Sequence, residues 1–264
     1  MPNERRTVKS DERLFEILTA VREHDGIRIT EIANEVDLAN SSVHSHLLTL
    51  EQAGYVRKTH DGYHLGLKFL EYGTEAQRQQ ELYAFGRDVI NELATETGEK
   101  TWGVVEENGQ AVYVYGAQGD RSIKTYTSIG HQTHLHHLAA GKAILSQLPA
   151  DRVEEIIDSE RLPQYTQYTI TDPADLKAEL EEVRERGVAF NLEESVEGLH
   201  AIGASVQGEN RIHGAISVSG PAHRLSEERL QTELKQKVLG AANELEINIR
   251  AHPDKGPLFE SDQR

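Results

Sequence analysis

Within the first 65 residues, three short stretches with helical apolar spacing are followed at once by two strand-like runs joined at Asp61-Gly62. Few folds accept that order. Leu14, Ile17, Leu18 and Val21 fall at i, i+3, i+4 and i+7, which gives a first helix one apolar face. Ser10 is placed to cap it, with Asp11 and Glu12 in the first turn, where the helix dipole favours anions. The polar run His24-Asp25-Gly26 ends it. Thr30 is the expected cap of a second, shorter helix carrying Ile32, Ala33 and Val36. After Asp37-Leu38-Ala39, Asn40 or Ser41 is expected to cap a third helix. Val43, Leu47 and Leu50 face inward there, and Gly54 takes the left-handed position past its end. The runs Tyr55–His60 and Tyr63–Leu65, joined through Asp-Gly, read as a hairpin. Three helices and a hairpin in this order predict a winged helix-turn-helix domain over residues 1–73.

In such a domain the third helix enters the major groove of DNA by its N-terminal end. With Val43, Leu47 and Leu50 turned to the core, Ser41, Ser45 and Leu48 point outward and Ser42, His44 and Thr49 lie on the flanks. The candidate DNA contacts are therefore Asn40, Ser41, Ser42, His44, Ser45 and Thr49, mostly short hydrogen-bonding side chains suited to base edges and phosphates. Arg57 and Lys58 open the wing within reach of the DNA backbone. Arg5 and Arg6, with Lys9, make residues 1–9 a basic arm.

The charge balance runs against a simple basic DNA-binding surface. The chain of 264 residues holds 28 Lys and Arg against 44 Asp and Glu, a net charge of −16. Residues 1–73 carry nine basic and twelve acidic groups, a net of −3, and the remainder carries −13. Phosphate neutralisation ordinarily supplies much of DNA affinity. The acid excess and scarce lysine resemble proteins of salt-accumulating halophiles. In molar salt the screening length is about 3 Å, so affinity would rest on close contacts. There is no cysteine, which excludes disulfide frameworks and thiolate metal sites. No apolar stretch approaches a membrane span, and the N-terminus lacks the apolar core of a secretory signal. A soluble cytoplasmic protein without a membrane partner is expected.

Residues from Leu67 to about Thr97 contain no proline and two glycines, and read as helices. A linker helix region is expected at 74–82, a second domain at 83–252 and a flexible tail at 253–264. The second domain alternates in Ala111–Tyr115 and Ala215–Ser219, which read as strands. Helical stretches lie near Gly141–Leu148, Asp151–Ser159, Pro173–Arg186 and Ser226–Ile249. The last has Leu230, Leu234, Val238, Ala241, Leu245 and Ile249 on one stripe, with Ser226 as cap. Interleaved strands and helices without a Gly-rich phosphate loop predict an α+β sensor domain.

The segments Ile29–His44, Leu47–Val56 and Tyr63–Gly66 resemble the helix-turn-helix and wing of the isocitrate lyase regulator (IclR) family. His131–Lys142, Arg186-Gly187, Asn191, Glu193-Glu194, Glu197-Gly198-Leu199 and Gly214–Pro221 resemble successive blocks of its C-terminal domain. Together these motifs span about 240 residues in the family's order. One departure stands in the third helix. The family's usual arginine falls on Ser45, and His46 replaces a leucine. The resemblance implies an α+β chain: a winged helix-turn-helix domain followed by a GAF-like effector-binding domain, with an antiparallel sheet and flanking helices. It also implies a transcription regulator rather than an enzyme, without a cofactor. Its partners would be double-stranded DNA, a small organic carboxylate effector and further copies of itself, as a homodimer or homotetramer. Carried over by position, the effector pocket would include Leu135, Ala139, Ala140, Asn191, Leu199, Ala201, Ser217 and Ser219. The residue chemistry agrees. Helix-start amides near Ala139–Gly141 suit an oxyanion, and Ser217 and Ser219 face one side of a strand. Leu135 and Leu199 would supply an apolar wall.

A rival reading rests on the histidines. His131, His134, His136 and His137 crowd into seven positions, with His134 in place of a common proline and His137 in place of a common small residue. Imidazole is a good ligand for divalent metals. His134 and His136 share a face if this stretch is extended. The alternative is a metal sensor or metal-dependent enzyme built on His131, His134 and His136, with Glu193, Glu194 or Glu197 nearby and the winged helix as accessory. Against it, the sequence holds no nucleophile motif, complete metal motif or phosphate loop.

Overall fold

The expected helices form as α1 (Lys9–Glu23), α2 (Ile29–Glu35) and α3 (Asn40–Gln52) in a computed structural model that describes residues 7–123, 127–209 and 211–252. The arm residues Arg5 and Arg6 and the tail at 253–264 lie outside the described residues. Ile17, Val21, Ile32, Val43, Leu47 and Leu50 meet in one apolar cluster. Each fully buried aliphatic side chain there contributes roughly 1.5–3 kcal/mol. The wing pairs β1 (Val56–Lys58) with β2 (Tyr63–Leu65), placing Arg57 opposite His64 and Lys58 opposite Tyr63. Tyr63 also bridges to Ile27, which ties the wing to the loop before α2.

The expected caps do not form. α1 starts after Val8, and the Ser10 hydroxyl donates to Asp11 Oδ1 at 3.2 Å from inside the helix. α2 starts after Arg28, whose N–H donates to the Glu31 carboxylate at 2.7 Å, so the start is held by a side chain reaching back from the first turn and Thr30 lies inside that turn. α3 starts after Ala39, which puts Asn40 and Ser41 in its first turn. In all three cases the helix begins a residue or two early, because small polar residues are tolerated in the first turn as well as at the cap.

The chain divides into two units, residues 1–76 and 77–264. α4 (Lys68–Arg78) spans the division, and α5 (Glu81–Thr97) opens the second unit, so the expected linker at 74–82 is the end of one helix and the start of another. A six-stranded sheet follows, in the order β5-β4-β3-β8-β7-β6, with every neighbouring pair antiparallel. The strands are β3 (Lys100–Glu107), β4 (Gln110–Gln118), β5 (Gln132–His134), β6 (Ala189–Leu192), β7 (Leu199–Gln207) and β8 (Ile212–Pro221).

Strand alternation divides the apolar residues between two faces. Ile202, Ile216 and Val218 pack with Ile90 and Leu93 of α5 and with Leu234 and Leu245 of the C-terminal helix. Trp102, Val104, Tyr113, Ala189 and Ala215 pack under α6 (Ala139–Leu145), α7 (Ala150–Glu160) and α8 (Pro173–Arg186). Ser226 caps the C-terminal helix as expected, accepting from the Arg229 N–H at 3.3 Å. That helix runs as α9 (Glu227–Arg229), a π-helical turn at Leu230–Leu234 and α10 (Lys235–Arg250). Ala242 rather than Ala241 is buried on its inner stripe. The wider π turn lets a four-residue spacing persist from Leu230 to Ala242.

Two glycines set the height of α6 over the sheet. A Cβ on Gly141 would stand 2.0 Å from the Leu135 carbonyl oxygen, and one on Gly203 of β7 would stand 2.8 Å from the Ala140 nitrogen. Only glycine permits so close a backbone approach.

Candidate functional site

The outer side of α3 is built from short polar groups. Asn40, Ser41, Ser42, His44, Ser45 and Thr49 are all exposed, while Val43, Leu47 and Leu50 hold the helix to the core. Ser45 Oγ donates to the Ser41 carbonyl and Thr49 Oγ1 to the Ser45 carbonyl, each at 3.0 Å. Those hydroxyl hydrogens are therefore committed to the helix itself. What Ser45 and Thr49 present outward is lone pairs, which suit the exocyclic amino groups of adenine and cytosine better than phosphate. α3 contains no lysine or arginine, and Arg57 and Lys58 are exposed on the wing. Lys58 Nζ stands 5.7 Å from the centre of the Tyr63 ring.

In the second unit a cavity of about 430 Å³ opens on the α6 face of the sheet. Ala139, Ala140, Asn191, Leu199, Ala201, Ser217 and Ser219 all border it. Sheet register explains their convergence. Ser217 pairs with Trp102 on one side and Gly203 on the other, and Ser219 pairs with Lys100 and Ala201, so these positions share one face. Leu135 does not line the cavity. β5 stops at His134, and the following turn carries Leu135 into the core under α6, where it is 2% exposed. Asn191 borders the cavity with its donors already used. Its Nδ2 donates to the His137 carbonyl at 2.9 Å and to Ser195 Oγ at 2.8 Å, and its Oδ1 accepts from the Glu194 N–H at 2.8 Å. It shapes the wall.

Sequence reasoning missed the aromatic part of this cavity. Trp102, Tyr113 and Tyr165 line it, with Trp102 and Tyr113 meeting edge-on at 5.0 Å. Trp102, the chain's single tryptophan in an apolar run, carried a usable signal. Tyr165, from an irregular segment, carried none. No Asp, Glu, Lys or Arg is among the described residues lining the cavity.

Three of the four clustered histidines bond within or behind this wall. His134 Nδ1 bonds the Tyr165 hydroxyl at 2.6 Å, His136 Nε2 donates to the Pro163 carbonyl at 3.0 Å, and His137 Nε2 bonds Thr133 Oγ1 at 3.0 Å. The His137 ring stacks on Tyr165 with centres 3.8 Å apart. Because the strand ends at His134, His134 and His136 do not share an extended face. Among the described residues no three His, Cys, Asp or Glu stand where they could hold a metal ion. Burial, aided by the neighbouring histidines, pushes His137 down to about 3, and burial pushes His136 down to about 4, so both rings are neutral near pH 7. Glu193 accepts from the Gly198 N–H at 2.6 Å, and Glu194 is engaged with Lys142.

Lys142, 1% exposed, joins α6 to the loop beside the cavity. Its Nζ donates to Glu194 Oε1 at 2.6 Å and lies 3.4 Å from Glu179 Oε1, which also pairs with Arg186 at 2.5 Å. Glu194 Oε2 is buried without a partner. Burial raises the Glu194 carboxyl above its ordinary range, and Lys142 offsets part of that shift.

Comparison with known proteins covers both units. The family described as "IclR helix-turn-helix domain" matches residues 11–60, and "Bacterial transcriptional regulator IclR C-terminal" matches residues 74–247. A relative from Halobacterium salinarum, "Probable HTH-type transcriptional regulator ArcR", is 35% identical over 251 residues, covering 93% of this chain and 95% of that protein. The crystal structure of the Thermotoga maritima IclR is 28% identical with a TM-score of 0.73, covering 90% of this chain and 99% of that one. An IclR homologue from Microbacterium hydrocarbonoxydans, solved in complex with 4-hydroxybenzoate, shares the fold with a TM-score of 0.79 at 18% identity, covering 92% of this chain and 99% of that one.

Proposed function

Because the chain belongs to the IclR family of DNA-binding transcription regulators, we propose that a small organic carboxylate bound in the α6 cavity changes how tightly α3 and the wing hold double-stranded DNA. Asn40, Ser41, Ser42, His44, Ser45 and Thr49 meet base edges and nearby phosphates. Arg57 and Lys58 meet the backbone, and Arg5 and Arg6 extend the contact as an arm. The protein acts as a homodimer or homotetramer on a palindromic operator, in the cytoplasm, and catalyses no reaction. No described helix is long and apolar enough to cross a membrane. The acid excess fits work at high salt, where short-range contacts outlast long-range charge.

The observation that carries the effector reading is the cavity itself. Two serines on one strand face and an aromatic wall border about 430 Å³ with no carboxylate among the described lining residues. The 4-hydroxybenzoate held by the Microbacterium homologue supports a carboxylate of similar size. A mobility-shift assay with the DNA upstream of the protein's own gene, at low and high salt, tests the whole reading. A specific shift altered by a carboxylate is expected. In a thermal-shift screen with the same carboxylates, Ser219→Ala should weaken the active compound about three- to ten-fold, as loss of one hydrogen bond implies. Unchanged affinity would put the binding site elsewhere.

A further inference from the structure

Lys100 opens β3 and is 8% exposed. Its ammonium lies 4.2 Å from the centre of the Trp102 ring. The strand pairs it with Ser219, so it shares the face of Trp102, Ser217 and Ser219, which line the cavity; Lys100 is not itself among the lining residues, and its Nζ borders that wall across the Trp102 ring. Among the described residues it has no ion pair or hydrogen bond, and the Trp102 ring is its one polar contact. Glu99, next in sequence, points to the opposite face, where Arg224 grips it at 2.7 and 2.8 Å. His137, also on the cavity wall, is neutral and adds no competing positive charge. Desolvation holds the Lys100 ammonium below its ordinary range. A partly desolvated cation with no anion beside it is placed to pair with an anionic ligand.

Building on the effector reading above, we propose that Lys100 is the counter-ion of the effector, and that the cavity selects monocarboxylates with an apolar body. The carboxylate bridges Lys100 Nζ and Ser219 Oγ. The body lies along Trp102 and Tyr113 toward Leu138 and Leu199. A second carboxylate on the ligand would face those apolar walls without a cation, so dianions are rejected.

Trp102 is the only tryptophan, so its fluorescence reports occupancy of the cavity in the full-length protein. The probes are benzoate and 4-hydroxybenzoate, with benzamide as the neutral analogue and terephthalate as the dianion. Wild-type protein should bind the two monocarboxylates at least ten-fold more tightly than benzamide or terephthalate. Lys100→Met should weaken the monocarboxylates about ten-fold or more, as expected for a charge-assisted hydrogen bond, and leave benzamide unchanged. Lys100→Arg should restore part of the loss. Without ligand, Lys100→Met should melt no lower than wild type, since it removes a partly desolvated cation that has no ion pair among the described residues. Lys100→Gln serves if the methionine variant does not fold. If Leu199→Phe abolishes benzoate binding while Lys100→Met leaves it intact, the cavity stands and the counter-ion role is overturned. If none of the probes perturbs Trp102 or melting of the wild type, the effector reading falls and the counter-ion with it.

Discussion

Aspartate at Ser42 is expected to weaken specific DNA binding by roughly 100-fold and leave the fold intact, the upper end of the effect of a lost interface contact. Ser42 is exposed in the first turn of α3. A carboxylate there faces the positive end of the helix dipole, so the melting temperature should hold or rise. Against DNA the same carboxylate meets phosphate and the acceptor-rich edges of bases. Ser42→Ala, which removes one hydroxyl, should lose only a few-fold. Fluorescence anisotropy with the protein's own upstream DNA separates these cases. Raising the salt toward the molar range should narrow the gap between the aspartate variant and wild type, since repulsion is screened over about 3 Å there. Equal affinity of the aspartate variant and wild type would place the DNA on another surface.

Lys142→Met is expected to destabilise the second unit by about 3–5 kcal/mol, because it leaves the Glu194 carboxylate buried without its cation. Glu179 keeps Arg186 and is less affected. The loss should depend on pH, and the sign follows from Glu194. Burial already raises its carboxyl above the ordinary value of 4.5, and removal of Lys142 raises it further. A group raised in the folded state contributes its stability below the unfolded pKa and loses it as pH rises through the folded one. The variant should therefore approach wild type near pH 4.5 and fall behind progressively toward pH 8. Adding Glu194→Gln should recover much of the loss and flatten that dependence. Denaturant melts at several pH values provide the measurement; a loss that is the same at every pH and unrelieved by Glu194→Gln would contradict a charged pair.

What the amino-acid order revealed, and what it concealed, follows from the range of the interactions. Val43, Leu47 and Leu50 were legible because helical period alone decides which side they face. Ser217 and Ser219 were legible because a strand alternates. Helix starts were not, since Ser10, Thr30, Asn40 and Ser41 fit a first turn as well as a cap. Leu135 was misplaced because nothing local marks the end of β5 at His134. Tyr165 reaches the wall from 31 residues past His134, and no periodicity encodes that contact. Nothing in the local sequence singled out Lys100. Its burial comes from the neighbouring Trp102 ring and from pairing with β8, both tertiary facts.

The central claim is that the α6 cavity and the α3 face are thermodynamically coupled. Ligand changes DNA affinity only by as much as its own affinity differs between the two states of the protein, and the coupling is reciprocal. The direct measurement follows Trp102 fluorescence and the anisotropy of labelled upstream DNA in one sample during a monocarboxylate titration. The account predicts that both signals change over the same ligand concentrations, and that saturating DNA shifts the ligand's apparent affinity by the same factor. Saturation of Trp102 with no change in DNA binding would contradict it.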